Sequence, residues 1–131
     1  MPLLHQVASA MGYASSAFIL LPAGRDIVSY STCILPGEDK TRPLMTAVSP
    51  KARCFMWGVW GLNHCALSIL KCMAIYKSDK PLLTFVFVTA AITFGYLVKE
   101  AKPITEEGGD VGGFIAVCGV QTLSLGYLAF A

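Results

Sequence analysis

The stretch WGVWGLNHCALSILKC, from Trp57 to Cys72, carries three polar side chains that could do chemistry on an apolar background: Asn63, His64 and Lys71. An imidazole can ligate the iron of a haem or the magnesium of a chlorophyll. If the stretch crosses a membrane, the amide, the imidazole and the ammonium each need a partner or a route to water. What these groups do therefore depends on the solvent around the stretch.

The composition indicates that lipid is much of that solvent. The chain has 131 residues, of which 55% are hydrophobic and 14% charged, whereas about a quarter of the residues of a soluble domain are charged. The formal net charge of +2 and the lack of a basic cluster interleaved with aromatic residues give no support for a nucleic-acid partner.

Four apolar runs come close to the roughly 20 residues that a helix needs to cross a bilayer. The runs cover residues 3–23, 54–76, 81–98 and 111–131, and the charged residues collect between them. The sequence therefore predicts one polytopic all-α membrane domain over 1–131. It forms a small bundle of four transmembrane helices, with both termini on the same side and a long loop between helices 1 and 2. The first run has no Lys or Arg ahead of it and is long for a signal peptide, so we expect a retained span.

The basic residues are distributed unequally between the two sides of this arrangement. Loops 24–53 and 99–110 hold seven of the 10 Lys and Arg residues, against three at or near the 77–80 turn. The positive-inside rule then places the long loop on the matrix, stromal or cytosolic side. The loop segment DIVSYSTCIL is apolar enough that we expect it to dock on a neighbour or on the membrane surface.

The second run has a stripe of small residues when it is placed on a helix. Small residues let two helices approach closely inside lipid, where apolar surface alone gives helices little reason to associate. The first run has a similar stripe that includes Ser16, and so does the fourth run. The residues that we predict to pack helices together are Gly58, Gly61, Cys65, Ser68, Gly112 and Gly119. The cysteines are interpreted as packing residues, and no Cys spacing favours a metal site.

A different flank of the second helix carries Trp57, Trp60, His64 and Lys71, and we predict that it faces lipid or a partner subunit. Lys71 lies about one turn from the helix end, so we expect its ammonium to reach the interface. Asn63 lies deeper and needs a partner.

Gln121 of the fourth helix is a candidate partner for Asn63. His64 is the one candidate cofactor ligand, for haem or chlorophyll. His5 is the only other histidine, and we expect it about two turns from the level of His64. Our default is a hydrogen-bonded structural histidine with no required cofactor, and lipids bound between the helices.

The spans contain no acidic residue and no motif that pairs a nucleophile with a base, so we expect no enzyme. The leading hypothesis is a non-catalytic accessory subunit of a larger membrane complex. An electron-transport assembly, respiratory or photosynthetic, is the favoured setting, in the mitochondrial inner membrane or alternatively the thylakoid. The alternatives are a pigment- or haem-binding protein, a scaffold of the endoplasmic reticulum, and a small carrier or channel. The path of that carrier would be lined by His64, Asn63, Gln121, Thr89 and Thr93.

Overall fold

The computed structural model of the chain describes residues 3–32, 50–106 and 111–131, and over these residues the chain is all-helical. The helices are α1 (Leu3–Thr32), α2 (Pro50–Lys77), α3 (Lys80–Glu106) and α4 (Gly112–Phe130). Each contains a segment long and apolar enough to cross a membrane: Leu3–Arg25, Gly58–Lys77, Lys80–Glu106 and Gly112–Phe130. The prediction of four such helices is confirmed, and it fits an integral membrane protein.

Three helices extend beyond the apolar runs. α1 continues through Pro22 to Thr32, α2 already begins at Pro50, and α3 continues through Pro103 to Glu106. The predicted loops 24–53 and 99–110 are therefore too long. Hydropathy marks where the solvent changes, whereas helical hydrogen bonds continue into water wherever the residues allow it. The remaining parts of those loops, 33–49 and 107–110, lie outside the described residues.

A tight turn joins α2 to α3. Ser78 has a φ of 50°, and its N–H donates to Ile75 O at 3.2 Å while Asp79 N–H donates to Ala74 O at 3.3 Å. This pair of bonds is the Schellman arrangement that satisfies the last carbonyls of a helix. Asp79 then starts α3, because its Oδ1 accepts a hydrogen bond from Leu82 N at 3.1 Å. The short turn makes α2 and α3 antiparallel neighbours.

Helix α1 packs along α2 and α4, α3 packs chiefly along α4, and α2 and α3 touch each other less. Gly126 and Gly119 of α4 lie against Phe87 and Phe94 of α3 respectively. The numbers rise along one helix as they fall along the other, so α3 and α4 are antiparallel.

The apolar core lies near the α2–α3 turn and draws on all four helices. Its buried members are Ala8, Ala74, Ile75, Leu83, Val86, Ala90, Leu125, Leu128 and Ala129. At this end Lys80 Nζ donates to Leu128 O at 2.9 Å and to Ala131 O at 2.7 Å. A cation at the last carbonyls of a helix is favourable, so Lys80 ties the start of α3 to the end of α4.

The small residues predicted to pack helices occupy different environments. Gly58, Gly61 and Ser68 are buried, and Cys65 is half-buried. A Cβ built on Gly119 would lie 3.2 Å from the ring of Phe94, which shows a close approach of α3 and α4. Gly112, at the first residue of α4, is exposed.

Candidate polar site

A buried chain of hydrogen bonds joins α2, α4 and α1. Lys71 Nζ donates to Gln121 Oε1 at 2.7 Å, and Gln121 Nε2 donates to Ser16 Oγ at 3.1 Å. The exposed fractions of Lys71, Gln121 and Ser16 are 6%, 1% and 0%. Three polar side chains from three helices are thus joined by hydrogen bonds in the interior of an apolar protein.

Ser16 takes part in this chain of hydrogen bonds because α1 packs closely against α2 nearby. Gly12 lies one turn before Ser16, and a Cβ built on it would come 2.7 Å from Ile75 Cδ1 of α2. Two other buried serines bond within their own helices: Ser15 Oγ donates to Gly12 O at 3.1 Å, and Ser124 Oγ donates to Val120 O at 2.8 Å. Ser16 instead accepts a bond from another helix. Its place on a small-residue face was visible in the sequence, but its partner was not.

The prediction that the ammonium of Lys71 reaches the interface is wrong, because this side chain is buried and bonded to Gln121. In an α-helix the Cα–Cβ bond tilts toward the N-terminus. The side chain of Lys71 therefore starts out toward the interior of the Gly58–Lys77 span rather than toward the nearby helix end.

The prediction that Asn63 pairs with Gln121 is also wrong. Asn63 is exposed, and its Nδ2 donates to Val59 O of its own helix at 3.1 Å. The two hydrogen bonds that Gln121 makes to Lys71 and Ser16 use both ends of its amide. Asn63 therefore presents its side chain on the outer surface of α2.

His64 belongs to a cluster of rings on α2 and α4. Its centroid lies 4.2 Å from that of Trp60 with an interplanar angle of 81°, and 6.4 Å from that of Phe114 with an angle of 78°. The centroids of Trp60 and Phe114 are 6.2 Å apart. The side chain of Trp57 lies outside the described residues. That the surface carrying Trp60 and His64 meets lipid or a partner stays a prediction.

The expected separation between His5 and His64 is wrong. Gly12 of α1 lies against Ile75 of α2, so His5 near the start of α1 lies level with the end of α2 or beyond it. At about 1.5 Å of rise per residue, the two imidazoles are separated by roughly 25 Å along the helix axes. They cannot ligate one iron together in this arrangement.

His64, Lys71 and Gln121 line one small cavity to which all four helices contribute. The other lining residues are Ile19, Leu67, Thr89, Ala90, Thr93, Phe114 and Cys118. The centre of a water molecule has about 20 Å³ of space there, and by the same measure one water needs roughly 10–15 Å³. The cavity admits a water-sized group or the tip of a larger molecule.

The polar groups of the cavity differ in what they can offer a ligand. Thr89 Oγ1 donates to Val86 O and Thr93 Oγ1 donates to Thr89 O, both at 2.9 Å. Both hydroxyls donate their hydrogen bonds to carbonyl oxygens of α3 itself. They therefore offer a ligand the lone pairs of their oxygen atoms, as hydrogen-bond acceptors. Lys71 retains donors, since an ammonium has three and one goes to Gln121. His64 makes ring contacts but no hydrogen bond to the described part of the chain.

Among the side chains that the structure describes, no group of three or more His, Cys, Asp or Glu residues could hold a metal ion. The hydroxyl of Ser68 is buried and lacks a hydrogen-bond partner among the same residues. The strongest concentration of polar atoms in the described interior is therefore the chain from Lys71 to Ser16 with its cavity.

Comparison of the chain with family models, with curated proteins and with solved structures finds no match.

Proposed function

We propose that the protein is a non-catalytic accessory subunit of a larger membrane assembly, to whose stability it contributes through contacts with neighbouring helices and lipids. The four helices cross the membrane as a small bundle with both termini on one side. The single observation that carries this proposal is the exposed amide of Asn63 on the apolar outer surface of α2.

An exposed amide is unfavourable in a lipid environment. Asn63 lies within the Gly58–Lys77 span, and the hydrogen bond that its Nδ2 donates to Val59 O uses one of its two donors. Its carbonyl oxygen accepts no hydrogen bond from the described residues. An unpaired polar group in hydrocarbon costs several kcal/mol, and asparagine in a membrane commonly bonds to an adjacent helix. A neighbouring subunit would supply that bond.

The surroundings of Asn63 suit a helix as the neighbour. Met56, Val59 and Ala66 are exposed and recur with Asn63 at spacings of three or four residues, so all four share one helix face. Apart from the amide of Asn63, the side chains of this face are apolar, and they are evenly spaced along the helix. A partner helix laid along it would bury apolar area and could pair with Asn63.

We also propose which kind of assembly the subunit belongs to and which membrane contains it. The predicted loops 24–53 and 99–110 carry seven basic residues against three at or near the 77–80 turn, which favours the matrix, stromal or cytosolic side for these loops. We place the subunit in an electron-transport complex, first in the mitochondrial inner membrane and alternatively in the thylakoid. Subcellular fractionation tests this placement, and recovery in the endoplasmic reticulum would favour a scaffold instead.

Photocrosslinking from position 63 tests the contact itself. A photoreactive residue replaces Asn63 in the full chain expressed in its native membrane, and a second variant carries it at Ile69, which is 55% exposed on another face of α2. We expect a discrete protein adduct from position 63 and lipid adducts from position 69. Lipid adducts alone from both positions would contradict a partner at Asn63.

A second candidate is a small carrier. Four residues predicted to line a polar path, His64, Thr89, Thr93 and Gln121, do line one cavity, whereas Asn63 lies on the outer surface. Vesicles containing the purified chain and a pH-sensitive dye would report acetate or proton flux. Flux that His64→Ala abolishes would favour the carrier, and flux equal to that of empty vesicles would remove it.

A further inference from the structure

We propose that the cavity beside Lys71 binds the carboxylate of a single-chain amphiphile such as a fatty acid, which enters from the bilayer between α2 and α3. This inference goes beyond the accessory role and does not depend on a partner subunit. It is based on the buried positive charge of Lys71, whose hydrogen-bond partner is a neutral amide.

The ammonium of Lys71 has a neutral partner. Its hydrogen bond goes to the amide of Gln121 at 2.7 Å, and no carboxylate among the side chains that the structure describes forms an ion pair with it. A buried charge is strongly unfavourable unless it is paired, and an ionisable residue within a membrane span indicates a functional site. An anion that binds beside Lys71 would supply the missing charge.

The hydrogen-bond network holds the ammonium in place for that role. Gln121 accepts from Lys71 through Oε1 and donates to Ser16 through Nε2, so its amide cannot turn without losing both bonds. All three side chains are at least nine-tenths buried. The ammonium is therefore a positioned donor, and little reorganisation is needed when a ligand arrives.

His64 supplies a second hydrogen-bonding group in the same cavity. It lies two helical turns before Lys71 on α2, and both residues line the cavity. The side chain of Lys71 starts out toward the N-terminus of α2, which is the direction of His64. A carboxylate has two oxygen atoms, so it can accept from the ammonium and approach the imidazole at once.

The size and position of the cavity select an amphiphile. About 20 Å³ for the centre of a water-sized group admits a small head and leaves no room for an alkyl chain. Helices α2 and α3 touch each other less than α1 and α2 or α3 and α4 do, and residues of both line the cavity. A chain attached to the carboxylate can therefore lie outside, along the apolar surfaces of these helices and in contact with lipid.

Electron spin resonance of a nitroxide-labelled stearate tests the proposal, with the purified full chain in phosphatidylcholine vesicles. The same measurement on the labelled methyl ester separates charge recognition from general lipid contact. We expect the protein to prefer the acid over the ester by about tenfold, the effect of one charge-assisted hydrogen bond. Equal association of acid and ester with the wild-type protein would overturn the proposal, whatever the variants do.

Two lysine variants and one competitor complete the experiment. Lys71→Met should abolish the preference for the acid, while Lys77→Met, at the exposed end of the same helix, should keep it. Retention of the preference by Lys71→Met, with unchanged helical circular dichroism, would overturn the assignment. Displacement of the labelled acid by inorganic phosphate in large excess would show that the site takes a free anion, and would overturn the amphiphile.

Discussion

The network of Lys71, Gln121 and Ser16 shows that two features of a residue can predict different locations for its polar group. These features are its position along the span and the direction in which its side chain points. Lys71 lies near the end of α2, and its position alone predicts an ammonium at the interface. Its actual place depends on Gln121 of α4, which is 50 residues away in the sequence and 2.7 Å away in space. Sequence periodicity assigns residues to the faces of one helix. It does not indicate which polar residue of another helix lies opposite a given face.

Replacement of Gln121 by Leu should be costly because it breaks two buried bonds at once. The ammonium of Lys71 loses its acceptor and Ser16 loses its donor, so we expect a loss of about 2–3 kcal/mol in the free energy of unfolding. Unfolding in mixed micelles of mild detergent and dodecyl sulfate, followed by circular dichroism, measures it. Thr122→Val is the matched control, since Thr122 Oγ1 donates its hydrogen bond within its own helix, to Cys118 O at 2.8 Å. An equal loss in both variants would contradict the network.

The two serines Ser68 and Ser16 should respond oppositely to removal of their hydroxyls. Ser68 Oγ is buried and has no hydrogen-bond partner among the described residues, so Ser68→Ala should leave stability unchanged or raise it by up to about 1 kcal/mol. Ser16→Ala deprives Gln121 Nε2 of its acceptor and should lower stability by about 1–2 kcal/mol. The same micelle titration measures both. A loss for Ser68→Ala as large as that for Ser16→Ala would show that Ser68 has a partner.

At the scale of the elements, the helices could be predicted and their ends could not. Apolar length located all four, and three of the small residues that the spacing predicts to pack helices, Gly58, Gly61 and Ser68, are buried. The extension of α1 to Thr32 and of α3 to Glu106 depends on backbone hydrogen bonds in a polar setting, which hydropathy does not report. The ion pair between Lys102 and Glu106, 3.8 Å at i,i+4, is a helical signal that hydropathy counts only as charge.

Glycines of the α3–α4 contact provide a test of close packing. A Cβ at Gly126 would lie 2.9 Å from Phe87 Cε2, and the ring of Phe87 packs edge-on against Phe130 at 5.5 Å. We expect Gly126→Ala to cost about 1–2 kcal/mol through overpacking. Gly95→Ala is the control, because among the described residues no atom beyond the adjacent backbone of its own helix lies within 4 Å of its Cβ position and alanine is the better helix former by about 1 kcal/mol. Stability measured by the same titration should fall for the first and not for the second; a reversed order would contradict the α3–α4 packing.

At the scale of the whole molecule, burial within a membrane span should shield a cysteine from reagents dissolved in water. Cys118 is 4% exposed and lies inside the Gly112–Phe130 span. We expect no reaction of Cys118 with a water-soluble maleimide in open membrane sheets, and ready reaction after denaturation in dodecyl sulfate. Lys77→Cys, at the exposed end of α2, is the positive control in a background without other cysteines. Rapid labelling of Cys118 in intact membranes would place this face of α4 in water.

The apolar outer surface of α2 and the exposed amide of Asn63 on it support our central proposal, that the chain works as one subunit of a larger membrane assembly. Native gel electrophoresis of gently solubilised native membranes tests this most directly, with wild-type chain and Asn63→Leu side by side. We predict that the wild-type chain migrates with a large complex, and that Asn63→Leu shifts toward the free chain while keeping its helical circular dichroism. Migration of the wild-type chain as a free species of its own small mass would contradict the account.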